Sequence, residues 1–222
     1  MNWLILVIAN IILSSFRDIY NKKVLKNMEP MDYTFSYILS TNIIFGLTGF
    51  ALGWFSNFVI NYLLIINSII TVVALLFYFK AMKIDDVSKI SPLQNINILF
   101  IVAFAALFLK EVITPLLLFG CILITFGVYI IHLKGKNILE PIEEISKSKS
   151  FKFIIIYSLF ISINIILGKF LVSSIEPKTY FLIFFNFSFI FLVLYLIFSR
   201  HNLGKIFKNC LDKKGNMFVI GV

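Results

Sequence analysis

Long, sparsely charged apolar runs constrain this chain more than any other feature. Crossing a bilayer core takes about 20 apolar residues at 1.5 Å each. Runs near that length recur at 3–24, 58–82, 88–109 and 151–172. They are apolar on every side, whereas barrel strands alternate with a two-residue period. Composition agrees: 60% of the 222 residues are hydrophobic and 14% charged, against about 25% charged in a soluble domain. The expectation is an all-α polytopic membrane helical bundle, a multi-pass protein of the cell membrane with the lipid bilayer as its first partner.

Punctuation in the sequence places seven helices. The first covers about 3–24 and carries Arg17 and Asp18; Met1-Asn2 lacks the basic start of a secretory signal, so this helix is retained. Glu29-Pro30 opens the second, with proline at the position where a missing N–H costs nothing. It is expected to run to about Phe55 with Gly49 and Gly53 as a GxxxG, for ordinary packing or a hinge. Helices three and four cover about 58–82 and 88–109. Thr114 as N-cap and Pro115 open helix five, which ends near Leu133. A polar linker, 134–150, leads to helix six at about 151–172, and Pro177 opens helix seven, to about Ser199. A basic loop, Arg200–Gly215, precedes an apolar stretch, Asn216–Val222, that reads as the start of an eighth helix.

The net charge of +9 would suggest nucleic acid in a soluble protein. Here the bases sit in short loops between spans, and no aromatic-basic platform exists, so no nucleic-acid partner is expected. Cys121 and Cys210 have no metal spacing, and Cys121 reads as a small core residue. His132 and His201 stand far apart at helix ends. With no phosphate loop and no nucleophile motif, neither an enzyme nor a cofactor is expected.

The second half repeats the first at an offset of 147 residues. Glu29-Pro30 then falls on Glu176-Pro177, Tyr33 on Tyr180, Lys22 on Lys169, Ile19 on Ile166 and Ser15 on Ser162, with no gap. A five-helix unit has an odd number of spans, so a second copy must insert upside down. Loop charges test this. The loops after helices one, three, five and seven hold three, three, five and five bases, whereas those after two, four and six hold none, Lys110 and Lys178. Matching loops therefore differ as an inverted pair should, and the positive-inside rule places the odd loops in the cytoplasm. The domains expected are a first repeat at 1–133, the linker at 134–150, and a second repeat at 151–222. That second repeat is incomplete, because Val222 corresponds to Leu75. Truncation, or a natural shorter form, follows.

Residues 81–132 resemble an EamA-type repeat of the drug/metabolite transporter superfamily. The likeness rests on Ser91-Pro92-Leu93, Leu109 with Glu111, Thr114, Gly120 and Gly127-Val128. It implies two inverted five-helix repeats around a central cavity, and export or exchange of a small organic solute. Members often have a proline in the middle of helix four; Ile98 stands there, so no proline kink is expected at that point. A glycine commonly precedes the motif glutamate, where this chain has Lys110.

Candidate pathway residues follow from polarity at membrane depth. Ser91, Gln94, Asn95 and Asn97 fall within an arc of about 160° on helix four, lining a path or bonding to neighbouring helices. Arg17 and Asp18 lie deep in the first span, where a charge faces a cavity or a partner. Asp18 and Lys22 have the favourable acid-first spacing of four, either as a neutralising pair or as an ion relay. Lys22 and Lys169 are expected near opposite mouths, snorkelling to the interface or touching substrate. Asn42 and Asn164 are further cavity candidates, Tyr33 and Tyr180 candidates for the interface belt, and Glu111 is expected to serve the start of helix five. The main alternative is a non-transporting fragment, or a half-unit that needs a second copy or another chain.

Overall fold

The computed structural model describes residues 3–54, 61–131 and 148–199, with Gly204 and Ile206. The expected loop at 56–57, most of the linker, nearly all of the basic loop, the apolar stretch 216–222, His132, His201 and Cys210 lie outside the described residues.

All secondary structure among the described residues is helical. In chain order the helices are α1 (Trp3–Leu25), α2 (Pro30–Ala51), α3 (Tyr62–Ile84), α4 (Val87–Gln94), α5 (Asn97–Leu109), α6 (Pro115–Ile131), α7 (Lys149–Val172) and α8 (Pro177–Phe198). Helices α1, α2, α3, α7 and α8, and α4 with α5 as one span, are long and apolar enough to cross a membrane; α6 is shorter at 17 residues.

The two Glu-Pro steps start their helices alike. Glu29 and Glu176 are non-helical N-caps, and each carbonyl accepts the first helical bond from the tyrosine four residues on, at 2.9 Å in both cases. Both tyrosines, Tyr33 and Tyr180, are buried rather than placed in an interface belt. Thr114 caps α6, its Oγ1 accepting from the Leu117 N–H at 3.3 Å.

Three local expectations are corrected. The second helix ends at Ala51, and Gly53 lies beyond it in a turn at φ +66°. Gly49 and Gly53 therefore do not form a helical GxxxG, because the second glycine supplies the left-handed turn instead. The expected fourth helix is broken. Asn95 and Ile96 join α4 to α5 through a turn in which successive N–H groups reach carbonyls three residues back, Asn95 to Pro92 and Ile96 to Leu93, both at 3.1 Å. Pro92 inside α4 contributes no N–H to the α-helical ladder. The break thus arises upstream of Ile98, without a proline there. Finally, Lys110 closes α5 in the left-handed region at φ 53°, and the Glu111 N–H reaches back to the Ala105 carbonyl at 3.3 Å. A left-handed residue at a helix end is one that glycine favours.

At the centre, α3 packs along α7; α7 also carries α4 and α5, and α8 packs on α3 and α2. The α7 stripe Ser150, Ile154, Ser158, Ser162 and Ile166 is buried. Serines there let neighbouring helices approach closely, which is how membrane helices pack when lipid is as apolar as they are. Phe79, Met82, Ile90 and Leu93 join Ile154 in the main core, and Leu64, Tyr180 and Ile183 form a second cluster.

Candidate functional site

Asp18 of α1 is the buried acid among the described residues, 6% exposed, about two turns before the end of a helix long and apolar enough to cross a membrane. Its Oδ1 has no hydrogen-bond partner, and Arg17 Nε stands 3.7 Å from it, in ion-pair range but beyond a hydrogen bond. The Tyr78 hydroxyl on α3 and the Gln94 amide on α4 face the same carboxylate. Tyr157 on α7 and Tyr37 on α2 lie close enough to act on the Arg17 charge. The rings of Tyr78 and Tyr157 are 4.8 Å apart, and Tyr37 lies edge-on to Phe79 at 5.6 Å. Four helices, α2, α3, α4 and α7, thus bring polar or aromatic side chains to the acid–base pair of α1, beside the break in the α4–α5 span.

Helix four contributes unevenly. Gln94 Nε2 reaches Ser91 Oγ at 3.5 Å, so these two stand together and near Asp18. Asn95 is exposed. The carbonyl of Asn97 accepts from Ser162 Oγ on α7 at 3.0 Å. The expected single arc is therefore corrected: it assumed 100° per residue, and the i→i−3 turn at 95–96 advances about 120° per residue.

The Asp18–Lys22 pair is also corrected. Lys22 Nζ donates to the carbonyls of Met82 and Asp85, each at 2.7 Å, and so closes the end of α3. A helix C-terminus offers unpaired carbonyls and negative partial charge, and this ammonium meets both. Beyond the span, the Asp85 carboxylate accepts hydrogen bonds from Ser150 and from Ser148 at the start of α7. Partial burial pushes its pKa upward, but those two hydroxyls, with Lys89 and Lys22, outweigh it and hold the group below the usual aspartate value.

Lys169, the repeat mate of Lys22, forms an ion pair with Glu111 at the α5–α6 turn. The two lysines thus hold turns at opposite ends of the 87–109 span. Glu111 spends its charge on α7, not only on the start of α6. Asn164 is an interhelical link: its Nδ2 donates to Asn67 Oδ1 at 2.7 Å and Thr71 Oγ1 at 2.6 Å on α3. Asn67 Nδ2 passes the link to the Tyr180 hydroxyl at 2.9 Å. Asn42 has its amide nitrogen buried without a partner.

Sequence reading missed Asn67, Thr71, Tyr78 and Tyr157. The signal was present for the first two, polar residues four apart in the strongly apolar α3. The tyrosines carried no such signal, since an aromatic residue in a membrane helix packs in many ways. Among the described residues no three His, Cys, Asp or Glu side chains gather as a metal site would require.

The profile of the EamA-like transporter family matches residues 1–133. No curated protein matches the sequence.

Proposed function

The chain belongs to the EamA-like transporter family, and from that premise we propose that it carries a small organic solute across the cell membrane by alternating access. It is a multi-pass membrane protein of the drug/metabolite transporter kind. The observation that carries the proposal is Asp18, a buried carboxylate with an open oxygen where five helices meet. An ionised side chain at membrane depth costs roughly 2.5–3.5 kcal/mol on insertion scales. The open oxygen, within 3.7 Å of Arg17 Nε, is what supports reading Asp18 as a group that meets a solute or ion as well as its basic neighbour. Gln94 and Ser91 present the neighbouring wall, and the turn at Asn95–Ile96 lets α4 and α5 tilt separately, since a stretch of 3₁₀ in mid-helix often marks a hinge.

The repeat is part of the proposal, with domains at 1–133 and 151–222 joined by 134–150. Its support is the paired helix starts at Glu29-Pro30 and Glu176-Pro177, and the repeat-related lysines at opposite ends of one span. Purified protein in proteoliposomes, screened against small organic solutes, tests the function. Flux lowered by Asp18→Asn and Gln94→Ala supports the site; flux indifferent to both removes it.

A second reading, a half-unit that works with another polypeptide, is favoured by α1. At the offset of 147, Val7, Ile11 and Ile19 match Ile154, Ser158 and Ile166. The α7 residues are 0%, 0% and 7% exposed, and their α1 mates 44%, 58% and 63%. On α7 this stripe is covered by α3, α4 and α5, and the corresponding cover on α1 is not among the described residues. Cross-linking from Ile11→Cys in native membranes distinguishes the readings: an adduct with another chain supports the half-unit, and flux from the isolated chain alone contradicts it.

A further inference from the structure

The end of α3 and the start of α7 share one seam. The two helices run antiparallel: Asn164 meets Asn67 at one end of the seam, and Ser150 meets Asp85 at the other. Just inside the second end the Phe77 and Phe153 rings face each other, with centroids 5.9 Å apart. Lys80 on α3 therefore stands at the level of Lys149 and Lys152 on α7. All three lysines are exposed, and no carboxylate among the described residues forms an ion pair with any of them. Neighbouring lysines at this end are engaged, Lys22 on the α3 carbonyls and Lys83 on Glu29.

The three lysines lie on one side of the seam. Lys80 Nζ sits 5.4 Å from the Phe77 ring centroid. On α7, Phe153, Lys149 and Lys152 follow one another over about 100° of the helix surface. Ser150, which holds Asp85, lies on the opposite side of Phe153. This side of α3 is the one turned to lipid. Tyr62, Ile66, Lys80 and Ile84 fall within about 40° of one another at 100° per residue, and the three apolar members are 71%, 44% and 49% exposed. Packed helices lie about 8–10 Å apart, a gap that flexible four-carbon stems bridge. One anionic group can thus meet ammonium groups from both helices.

We propose that this seam holds the phosphodiester of an anionic phospholipid, with Lys80, Lys149 and Lys152 around the head group and the Phe77–Phe153 pair beneath it. The proposal does not depend on the transport reading. Its ground is charge complementarity on a lipid-facing surface. Lysines beside a membrane span attract anionic head groups, and here three gather on one seam with no acid between them. Phosphatidylcholine carries its own compensating cation, so three ammonium groups favour it less. Dissolved phosphate would have to reach a face that lipid already covers. The lysine stems lie along the apolar surface and lift their charges to head-group level.

Tryptophan quenching by brominated lipid tests this. Trp3 and Trp54 are replaced by phenylalanine. A single tryptophan is placed at the seam, Ile84→Trp, or on α6, which returns to the same end, Ile130→Trp; both positions are exposed. Each protein is reconstituted in phosphatidylcholine vesicles with a rising fraction of brominated phosphatidylglycerol or brominated phosphatidylcholine, at fixed ionic strength. Quenching at 84 is expected to favour phosphatidylglycerol by about threefold or more, and quenching at 130 to show little preference. Lys80→Gln, Lys149→Gln and Lys152→Gln together should abolish the preference at 84, and each alone should lower it, which keeps the test open if the triple variant does not fold. Arginine at the same three positions should retain it. Lys23→Gln with Lys26→Gln, two exposed lysines at the end of α1, should leave it unchanged. Equal quenching by the two lipids at 84, the same preference at 130, or a loss in the Lys23/Lys26 variant as large as in the triple variant overturns the proposal, since each means that no local site exists. Erasure of the preference by inorganic phosphate overturns it too, because the site would then belong to a dissolved anion.

Discussion

Lys110 shows how a single backbone angle ties sequence to fold. It occupies the left-handed region at φ 53°, where a Cβ costs about 1 kcal/mol that glycine avoids. Lys110→Gly is therefore expected to raise unfolding free energy by roughly 1 kcal/mol, read as a higher melting temperature in detergent. No change would mean that the Lys110 side chain supplies an offsetting contact. Asn164 is a second residue-scale case. Its amide holds α7 to α3 through Asn67 and Thr71, and measured interhelical bonds in membranes average about 0.6 and reach about 1.7 kcal/mol. Asn164→Leu is expected to lower stability by about 1 kcal/mol while leaving flux within about twofold. A loss of flux at unchanged stability would instead place Asn164 in the pathway.

The α4–α5 span is held at both ends and broken in its middle. Lys22 fixes its start through the α3 carbonyls, Lys169 its end through Glu111, and the turn at 95–96 divides it. The Asp85 carboxylate adds a pH dependence at the start. Its pKa is lower in the folded protein, so its stabilisation is fully present above the unfolded value of about 3.9 and is lost as pH falls through the lower folded value. Asp85→Asn should flatten the acid limb of a melting-temperature profile below about pH 5; an unchanged limb would assign it to other groups. Much at this scale was legible in the sequence. Glu-Pro and Thr-Pro steps set three helix starts because proline fixes the first helical φ and leaves an N–H unneeded. The break at Asn95–Ile96 was not legible, because the polar residues fitted one helical arc and Pro92 alone does not show whether a span kinks or breaks.

At the scale of the whole molecule, apolar run length fixes the class. The runs announced a membrane bundle, and among the described residues it is found, with the fourth helix divided at Asn95–Ile96 and the second ending at Ala51. What the runs could not show was which polar residues meet. Arg17, Asp18 and Gln94 were visible as candidates, but Tyr37, Tyr78 and Tyr157 complete the cluster through three separate helices, and the distances between helices are set by packing rather than by spacing along the chain. The central claim is that the open carboxylate of Asp18 serves transport. The most direct measurement is solute flux into proteoliposomes containing the purified chain, with wild type, Asp18→Asn and the packing control Asn164→Leu compared at equal protein content. The account predicts that Asp18→Asn loses flux by about tenfold or more, equivalent to about 1.4 kcal/mol, while the control stays within about twofold. Wild-type flux in Asp18→Asn would contradict it.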